Sequence, residues 1–542
     1  MVTNIWKLIS GSVNKKNKNW LTLILAKNRG LVTKKKLDDF LNPKLEQILE
    51  VKLTDTEKAV ERISKAIKNN EKIIIYSDYD ADGICGTAII WETLFDLGAN
   101  VLPYVPHRIK EGYGLSNLAI SNLAKQNAKL IITVDHGVAA VDQIDHAQSL
   151  GVDVIITDHH IFPQKLPNAL AIVHSIDLCG AGVTWRLCWE IVKKLKPSYE
   201  DCLFEKLELA ALATVADLVP LLGASRAIVK LGLEKLSQTK RPGILALLKT
   251  TSLTHKIGTY EAGHILAPRI NAMGRIEHAL DSLRLICAKK RDQADKLARL
   301  LSKTNTKRQD LTSKTLAHAI NMVSEDQIIP VIADESWHEG IIGLVASRLV
   351  ESFHKPMIVI SKGEVYSKGS ARSIKGFNIA EAIHSSSEFL TDSGGHPMAA
   401  GFTIKTCYIQ NFSESINQYA KERLAEELLI PELSIECELK PEDINKETLE
   451  IVSQFEPYGV GNPQPLFLTR NMLVEDVRCV GQKSDHLKLQ VDGFSVIGFN
   501  MGNERSKIRP GYSTDLVYTL AEDRFNGNNS IQLKIKDLVI NS

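Results

Sequence analysis

The chain has 542 residues, 44% of them hydrophobic, enough at about 150 residues per domain for three or four domains with their own cores. This excludes a small disulfide-stapled scaffold and a disordered chain. Sixty-six lysines and arginines against 64 aspartates and glutamates give a net charge of +2, so any polyanion site is local. Eight cysteines (85, 179, 188, 202, 287, 407, 437 and 479) are scattered with no CxxC pair, which disfavours a zinc ribbon or redox dithiol and reads as small core residues in a reducing cytoplasm. No signal-peptide pattern and no uncharged apolar stretch of about 18 residues occurs, so a soluble cytoplasmic chain without a membrane segment is expected.

From Met1 to Lys36 there are nine basic residues (Lys7, Lys15, Lys16, Lys18, Lys27, Arg29, Lys34, Lys35, Lys36) and no acid. Residues 1–51 read as a basic N-terminal segment, either a solvated flank or a phosphate-contacting arm. From residue 52 the pattern becomes regular. An amphipathic stretch over 54–69 precedes the β-branched run KIIIYS (72–77), the loop SDYDADG and an apolar-periodic run from Ile84 to Leu97, which predicts helix, strand, loop, helix. The strand-then-polar unit recurs as KLIITVDHG (129–137) and GVDVIITDHH (151–160). Nearly continuous apolar runs suit a parallel sheet buried on both faces, so residues 52–230 are expected to form an α/β domain with a doubly wound sheet. Ligands gather at the carboxyl ends of such strands, where each run delivers aspartates and histidines.

Residues 231–325 read as a helical connector. Ala294, Leu297, Ala298 and Leu301 keep a helical spacing while 302–310 is polar, predicting one long helix, packed at its start, exposed later and bridging two domains. Residues 326–428 alternate strand-like runs (IIPVIA, PMIVIS, AAGFTI) with a helix over 340–352 and carry the glycine-rich SGGHPMAAG, predicting a second α/β domain. From 432 to 542 the runs HLKLQV, FSVIGFN, DLVYTL and SIQLKIK, the last entered through the turn Asn526-Gly527, predict a small β-barrel.

The strand KIIIYS empties into Asp78-Tyr79-Asp80-Ala81-Asp82-Gly83; Asp135 closes the second strand, Asp158-His159-His160 the third, and Asp217 sits in the apolar TVADLVP. One aspartate after a strand is most often a helix cap. Several meeting at one sheet edge are different, because carboxylates about 4 Å apart repel by roughly 4 kcal/mol at an effective dielectric near 20. Such a cluster requires protonation or a cation. Two divalent ions are the economical answer: carboxylate with imidazole suits Mn²⁺, accepts Mg²⁺ or Zn²⁺, and disfavours Ca²⁺. The predicted reaction class is metal-assisted phosphoester hydrolysis. Asp135 is the candidate bridging carboxylate, and either His159 or His160 the candidate proton donor to the phosphate or leaving group.

SDYDADG, TVDHG, TDHH and ATVADLVP, in that order, resemble the four motifs of the DHH phosphoesterase superfamily. Within it, PHRIKEGYGL (106–115), LAPRINAMGRI (266–276), SWHEGIIGLVASRL (336–349), GSARS (369–373), SGGHPMAAGF (393–402) and FEPYGVGNPQP (455–465) resemble the RecJ family of single-stranded-DNA-specific exonucleases. His174-Ser175 departs from the family's Asn-Pro. The resemblance implies DHH and DHHA1-like α/β domains joined by the long helix, a C-terminal oligonucleotide-binding (OB) barrel, and an active site in a cleft between the α/β domains. It also implies a Mn²⁺- or Mg²⁺-dependent enzyme that degrades single-stranded DNA from its 5′ end to mononucleotides, in recombination and repair, beside single-strand-binding protein and a helicase. A monomer is expected. The metal ligands would be Asp80, Asp82, Asp135, His159 or His160, and Asp217, with Asp78 a ligand or a support. The alternatives are a DHH phosphodiesterase for short oligonucleotides or cyclic dinucleotides and a non-catalytic DNA-binding scaffold.

For the polynucleotide itself, Arg108 and Arg275 lie in segments resembling the family's 5′-end-binding elements. Ser370, Arg372 and Ser373 offer hydroxyls and a guanidinium for a terminal phosphate, and Gly394-Gly395-His396 an approachable backbone beside an imidazole. Trp337 and Arg348 are candidates to stack on or clamp a base. Asn305, Arg308 and Gln309 on the long helix are candidates to face the strand, and Lys483, His486 and Lys488 on the barrel to grip it.

Overall fold

The computed structural model describes residues 4–10, 19–112, 114–251, 253, 256–324, 326–523 and 530–541. Lys15, Lys16, Lys18 and the Asn526-Gly527 turn lie outside these residues. The chain divides into two compact units, a larger one (Leu8–Ser302 with Ser434–Ser542) and a smaller one (Met1–Lys7 with Lys303–Leu433).

In the larger unit, β1 (Lys72–Ser77), β2 (Val101–Tyr104), β3 (Ala128–Val134), β4 (Asp153–Asp158) and β5 (Ala171–His174) form a five-stranded sheet in the order β2-β1-β3-β4-β5. Every pairing is parallel. The β-branched runs explain it. Ile73, Ile75, Leu130, Ile132 and Ile155 enter one core and the alternating Ile74, Tyr76, Ile131, Val154 and Ile156 the other, so each strand is apolar on both faces. The doubly wound sheet read from the sequence is therefore present. Its edge strands β2 and β5 escaped that reading because they are four residues long, and β2 contains Pro103. Chain direction around the sheet reverses between β1 and β3, which opens a crevice at their carboxyl ends.

The helices that frame this crevice are α1 (Ala81–Asp96), α2 (Gly180–Leu195), α3 (Leu207–Ala216), α4 (Gly223–Ser237) and α5 (Ala267–Ile276). α3 is buried along its whole length up to Val215, so the first acidic group it leaves partly exposed is Asp217 at its carboxyl end. A single helix, α6 (Arg291–Ile320), follows, and the division between the two units falls within it. Its polar stretch is not wholly exposed: Thr304 and Asn305 are buried.

The smaller unit holds β6 (Val331–Asp334), α7 (Ile342–Phe353), β7 (Met357–Ser361), β8 (Tyr366–Arg372), β9 (Leu390–His396) and β10 (Ala399–Lys405). Its sheet runs β9-β10-β8-β7-β6, parallel only between β6 and β7. Gly394, Gly395 and His396 end the exposed edge strand β9, in register with Gly401, Ala400 and Ala399.

The larger unit also contains the C-terminal barrel: β11 (Cys437–Glu438), β12 (Phe467–Val480), β13 (His486–Val491), β14 (Phe494–Gly498), β15 (Ser513–Asp523) and β16 (Ser530–Asn541). The sheet runs β11-β12-β13-β14-β16-β15, and β12 also pairs with β15, closing the barrel. Strand β12 was missed in the sequence because two register shifts, at Thr469/Met472 and Val474/Asp476, break its period of two. Helices Trp20–Asn28 and Lys34–Leu41 place Leu21, Ile24, Leu25 and Phe40 in the barrel core beside Phe455, Phe467 and Tyr518. Burial worth about 1.5–3 kcal/mol for each such side chain anchors this part of the basic segment.

Candidate metal centre

The three aspartates after β1 have three different settings. Asp78 is buried at the strand end, its amide donating to the Val134 carbonyl at 3.1 Å and its carboxylate accepting from the Tyr79 amide at 2.7 Å. Asp80 caps α1, accepting from the Asp82 and Gly83 amides at 2.8 and 3.1 Å. Asp82, in the first turn of α1, accepts from the Gly180 and Ala181 amides, both at 2.7 Å. Those amides are the start of α2, so a helix N-terminus faces the carboxylate and fixes its orientation. Gly83 permits the tight turn: a β-carbon there would lie 2.7 Å from Asp78 Cβ.

Asp135 follows β3 in a left-handed conformation (φ 67°), held by its amide on the Thr157 carbonyl at 2.9 Å. A non-glycine residue in this region carries strain of order 1–3 kcal/mol, which the surrounding structure imposes. The turn aims the side chain across the switch point. His159 Nε2 lies 3.1 Å from Asp135 Oδ1, 3.5 Å from Asp217 Oδ2 and 3.8 Å from Asp82 Oδ2. Three groups of potential donor atoms, each within 4.8 Å of one another, result: Asp135 with His159 and His160; Asp82 with His159 and Asp217; Asp78 with Asp80 and Asp135. Asp135 and His159 each belong to two groups.

Electrostatics agree with the geometry. Burial, and then neighbouring carboxylates, push the carboxyls of Asp78, Asp80 and Asp135 up, and that of Asp217 up to about 9. Burial lowers His159, leaving a neutral imidazole suited to ligation. His160 differs. Burial disfavours its charge, but Nδ1 sits 2.7 Å from Asp158 Oδ1, and this bond raises it to about 9. Asp158 is itself buried, also accepts from the Val138, His159 and His160 amides, and is held below the usual carboxylate range although burial opposes this. Asp158 thus orients the loop and the His160 ring. Oxygen and imidazole donors with excess negative charge fit a pair of divalent cations.

Arg108 and Arg275 both lie beside this cluster. The Arg108 guanidinium sits 4.9 Å from the Tyr79 ring centroid and attracts Asp78, and Arg275 attracts Asp80. Helix α5 brings Arg275 there: Asn271 Oδ1 accepts from the Ala81 amide at 2.6 Å, and Gly274 packs against the Tyr79 carbonyl. In the smaller unit, Arg372 Nη1 donates to Ser370 Oγ at 3.1 Å, and both groups lie against Gly343 near the start of α7.

Other candidates are placed differently. Trp337, expected to offer a stacking face, is buried and its indole donates to His318 Nδ1 at 3.2 Å. Ser373 is buried and donates to the Phe377 carbonyl at 2.7 Å, and Arg348 is exposed and pairs with Glu351 at 2.8 Å. On α6, Gln309 is exposed, Arg308 half-buried and Asn305 buried. Sequence reasoning missed Asn271 and the Gly180-Ala181 amides. The glycines of CGAGV carried a weak signal, since a helix N-terminus that approaches a carboxylate closely needs small residues.

The carboxylate–imidazole cluster at the switch point of the doubly wound sheet has the donor set that divalent cations take. Three families match the chain: DHH family, N-terminal domain, over residues 72–214; DHHA1 domain over 325–422; and RecJ OB domain over 435–537. The single-stranded-DNA-specific exonuclease RecJ of Haemophilus influenzae is 31% identical over 92% of this chain and 92% of its own length. That of Bacillus subtilis is 38% identical over 89% of this chain, and the match spans 63% of that protein's length. The crystal structure of RecJ in complex with Mn²⁺ from Thermus thermophilus superimposes with a TM-score of 0.86 at 27% identity, covering 99% of this chain and 80% of that one. The chain belongs to the RecJ family. Among the described residues, no helix is long and apolar enough to cross a membrane.

Proposed function

We propose that this protein is a metal-dependent single-stranded-DNA-specific 5′→3′ exonuclease that releases mononucleotides by phosphodiester hydrolysis. The observation that carries the proposal is the meeting of Asp78, Asp80, Asp82, Asp135, His159 and Asp217 at the β1/β3 switch point. These residues, with Asp135 shared by two of the donor groups, would hold two Mn²⁺ or Mg²⁺ ions, and the Mn²⁺-bound Thermus relative supports that choice. When bound, the ions supply a nucleophilic water and charge neutralisation at the phosphate.

The chain's own residues do the rest. The start of α2 and the strained turn at Asp135 fix carboxylate directions before any ligand arrives. His160, held charged by Asp158, donates a proton or hydrogen bond to the phosphate or the leaving oxygen. Arg108 and Arg275 beside the cluster, and Ser370 with Arg372 in the smaller unit, bind phosphates of the strand, and the OB barrel binds its continuation. The chain works as a monomer in the cytoplasm, beside single-strand-binding protein and a helicase in recombination and repair. All eight cysteines carry free thiols, which suits a reducing compartment.

The test is Mn²⁺-dependent release of mononucleotides from 5′-labelled single strands, with Asp82→Ala as control. Activity surviving in that control, or equal activity on blunt duplex, contradicts the proposal. Preference for dinucleotides would favour the short-substrate phosphodiesterase reading, and DNA binding without cleavage the scaffold reading.

A further inference from the structure

Asp217 is the one acidic member of the cluster that does not follow a strand of the sheet. It closes α3, and the next residue, Leu218, is in the left-handed region (φ 61°), so the backbone turns sharply before α4 begins at Gly223. The turn between Asp217 and α4 is five residues long, 218–222. A loop more than two hundred residues away in sequence grips it. The Leu221 amide donates to the Val460 carbonyl at 2.7 Å. β-Carbons placed on Gly459 and Gly461 would lie 2.8 Å from Leu221 Cδ1 and 3.2 Å from Pro220 Cβ, so a side chain at either position would press on the turn.

The first turn of α4 completes the grip. Arg226 is 1% exposed, and its guanidinium donates to four backbone carbonyls: Phe455 at 3.0 Å, Glu456 at 2.8 Å, Pro457 at 3.0 Å and Phe40 at 2.7 Å. It also stacks 3.6 Å from the Phe40 ring centroid. Asn462, wholly buried, braces the loop from inside by donating to the Phe455 and Pro457 carbonyls at 2.8 and 2.9 Å and accepting from Arg29 at 2.8 Å. A buried guanidinium satisfied only by carbonyls is specific to one backbone arrangement, since losing any of them leaves a donor stranded.

We infer that the segment Phe455–Asn462, between the barrel strands β11 and β12, is a positioning element for the metal centre: through Gly459, Gly461, Arg226 and Asn462 it fixes the turn that carries Asp217. The barrel's anchorage and the geometry of the cation site are thereby one mechanical unit, and disturbing the loop weakens the hold on the cations without touching a ligand. The inference rests on the metal-centre reading of Asp217.

The experiment is direct Mn²⁺ titration of the full chain by calorimetry, with circular dichroism confirming the fold. Gly459→Ala presses on Leu221 and Arg226→Lys keeps the charge while removing the forked donors. Leu489→Ala, in the barrel core on β13 and in none of the hydrogen bonds that hold the loop, controls for general destabilisation. The expected result is about tenfold weaker Mn²⁺ binding in the first two variants and unchanged binding in the third. If Asp217→Ala weakens Mn²⁺ binding but Gly459→Ala and Arg226→Lys bind as wild type, or if Leu489→Ala weakens binding as much as they do, the positioning role is overturned. If Asp217→Ala itself binds as wild type, the metal-centre reading fails and takes the positioning role with it.

Discussion

Gly180 is a residue at which one added carbon presses directly on the site. Its amide holds Asp82 at 2.7 Å, and a β-carbon added there would sit 2.6 Å from both Cβ and Oδ1 of Asp135. Ordinary contact begins at 3.4 Å, so Gly180→Ala forces α2 and Asp135 apart by about 1 Å. Overpacking of this size costs about 1–3 kcal/mol of stability, which lowers the melting temperature without unfolding the chain at 25 °C. Catalysis suffers more, because a misplacement of about 1 Å in a preorganised site is worth about 10²-fold in rate. The assay is mononucleotide release from 5′-labelled single strands across a Mn²⁺ titration, run beside a thermal melt. Gly182→Ala is the matched control: its β-carbon meets Leu178 and Ile228 at 3.2 and 3.3 Å and no cluster residue, so activity should stay within about threefold of wild type. Wild-type rate and Mn²⁺ dependence in Gly180→Ala would refute the assignment of Asp82 and Asp135 to one preorganised centre.

Three further outcomes follow from the same geometry. Asp158→Asn removes the charge that orients His160 and holds its proton, so the cleavage rate should fall about 10²–10⁴-fold while Mn²⁺ affinity in a titration stays near wild type; an unchanged rate would contradict its supporting role. Burial and mutual repulsion raise the folded-state pKa of Asp78, Asp80, Asp135 and Asp217 above the unfolded value near 4, so the metal-free fold holds more protons than the unfolded chain and loses stability as pH rises through that window, up to about 9 for Asp217. Mn²⁺ should therefore raise the melting temperature more at pH 8 than at pH 5.5, and equal increments would contradict the charge argument. Arg372→Ala should slow removal of 5′-phosphorylated strands by about 10–100-fold, the worth of a charge-assisted hydrogen bond, while barely moving the melting temperature; equal turnover would remove Arg372 from phosphate binding.

The parts readable in the sequence share a physical origin. β1, β3 and β4 announce themselves because a strand buried on both faces must be apolar throughout, and Asp78, Asp135 and His159 follow because they interrupt those runs. Asp217 stands out as a charge inside the apolar ATVADLVP. The unread parts depend on tertiary contact. Which of two adjacent histidines faces the carboxylates is decided by the Asp158–His160 bond, which no spacing rule reveals. Asn271 and Arg226 act through backbone groups 190 and up to 231 positions away, which carry no side-chain signature. Trp337 looked like a stacking residue because tryptophan beside glycine and histidine suggests a site, whereas its donor is satisfied inside the unit. The N-terminal helix is obscured by the basic residues on either side of it, although Leu21, Ile24 and Leu25 keep the helical spacing that places them in the barrel core.

Separate stretches of chain would together hold one cation pair at the β1/β3 switch point. Anomalous diffraction from crystals soaked in Mn²⁺ measures this most directly. Two peaks among Asp80, Asp82, Asp135, His159 and Asp217, with Asp135 touching both, are the predicted result. Mn²⁺ bound elsewhere in a soaked crystal of a protein that cleaves DNA in the same buffer, with no peak at these residues, would contradict it.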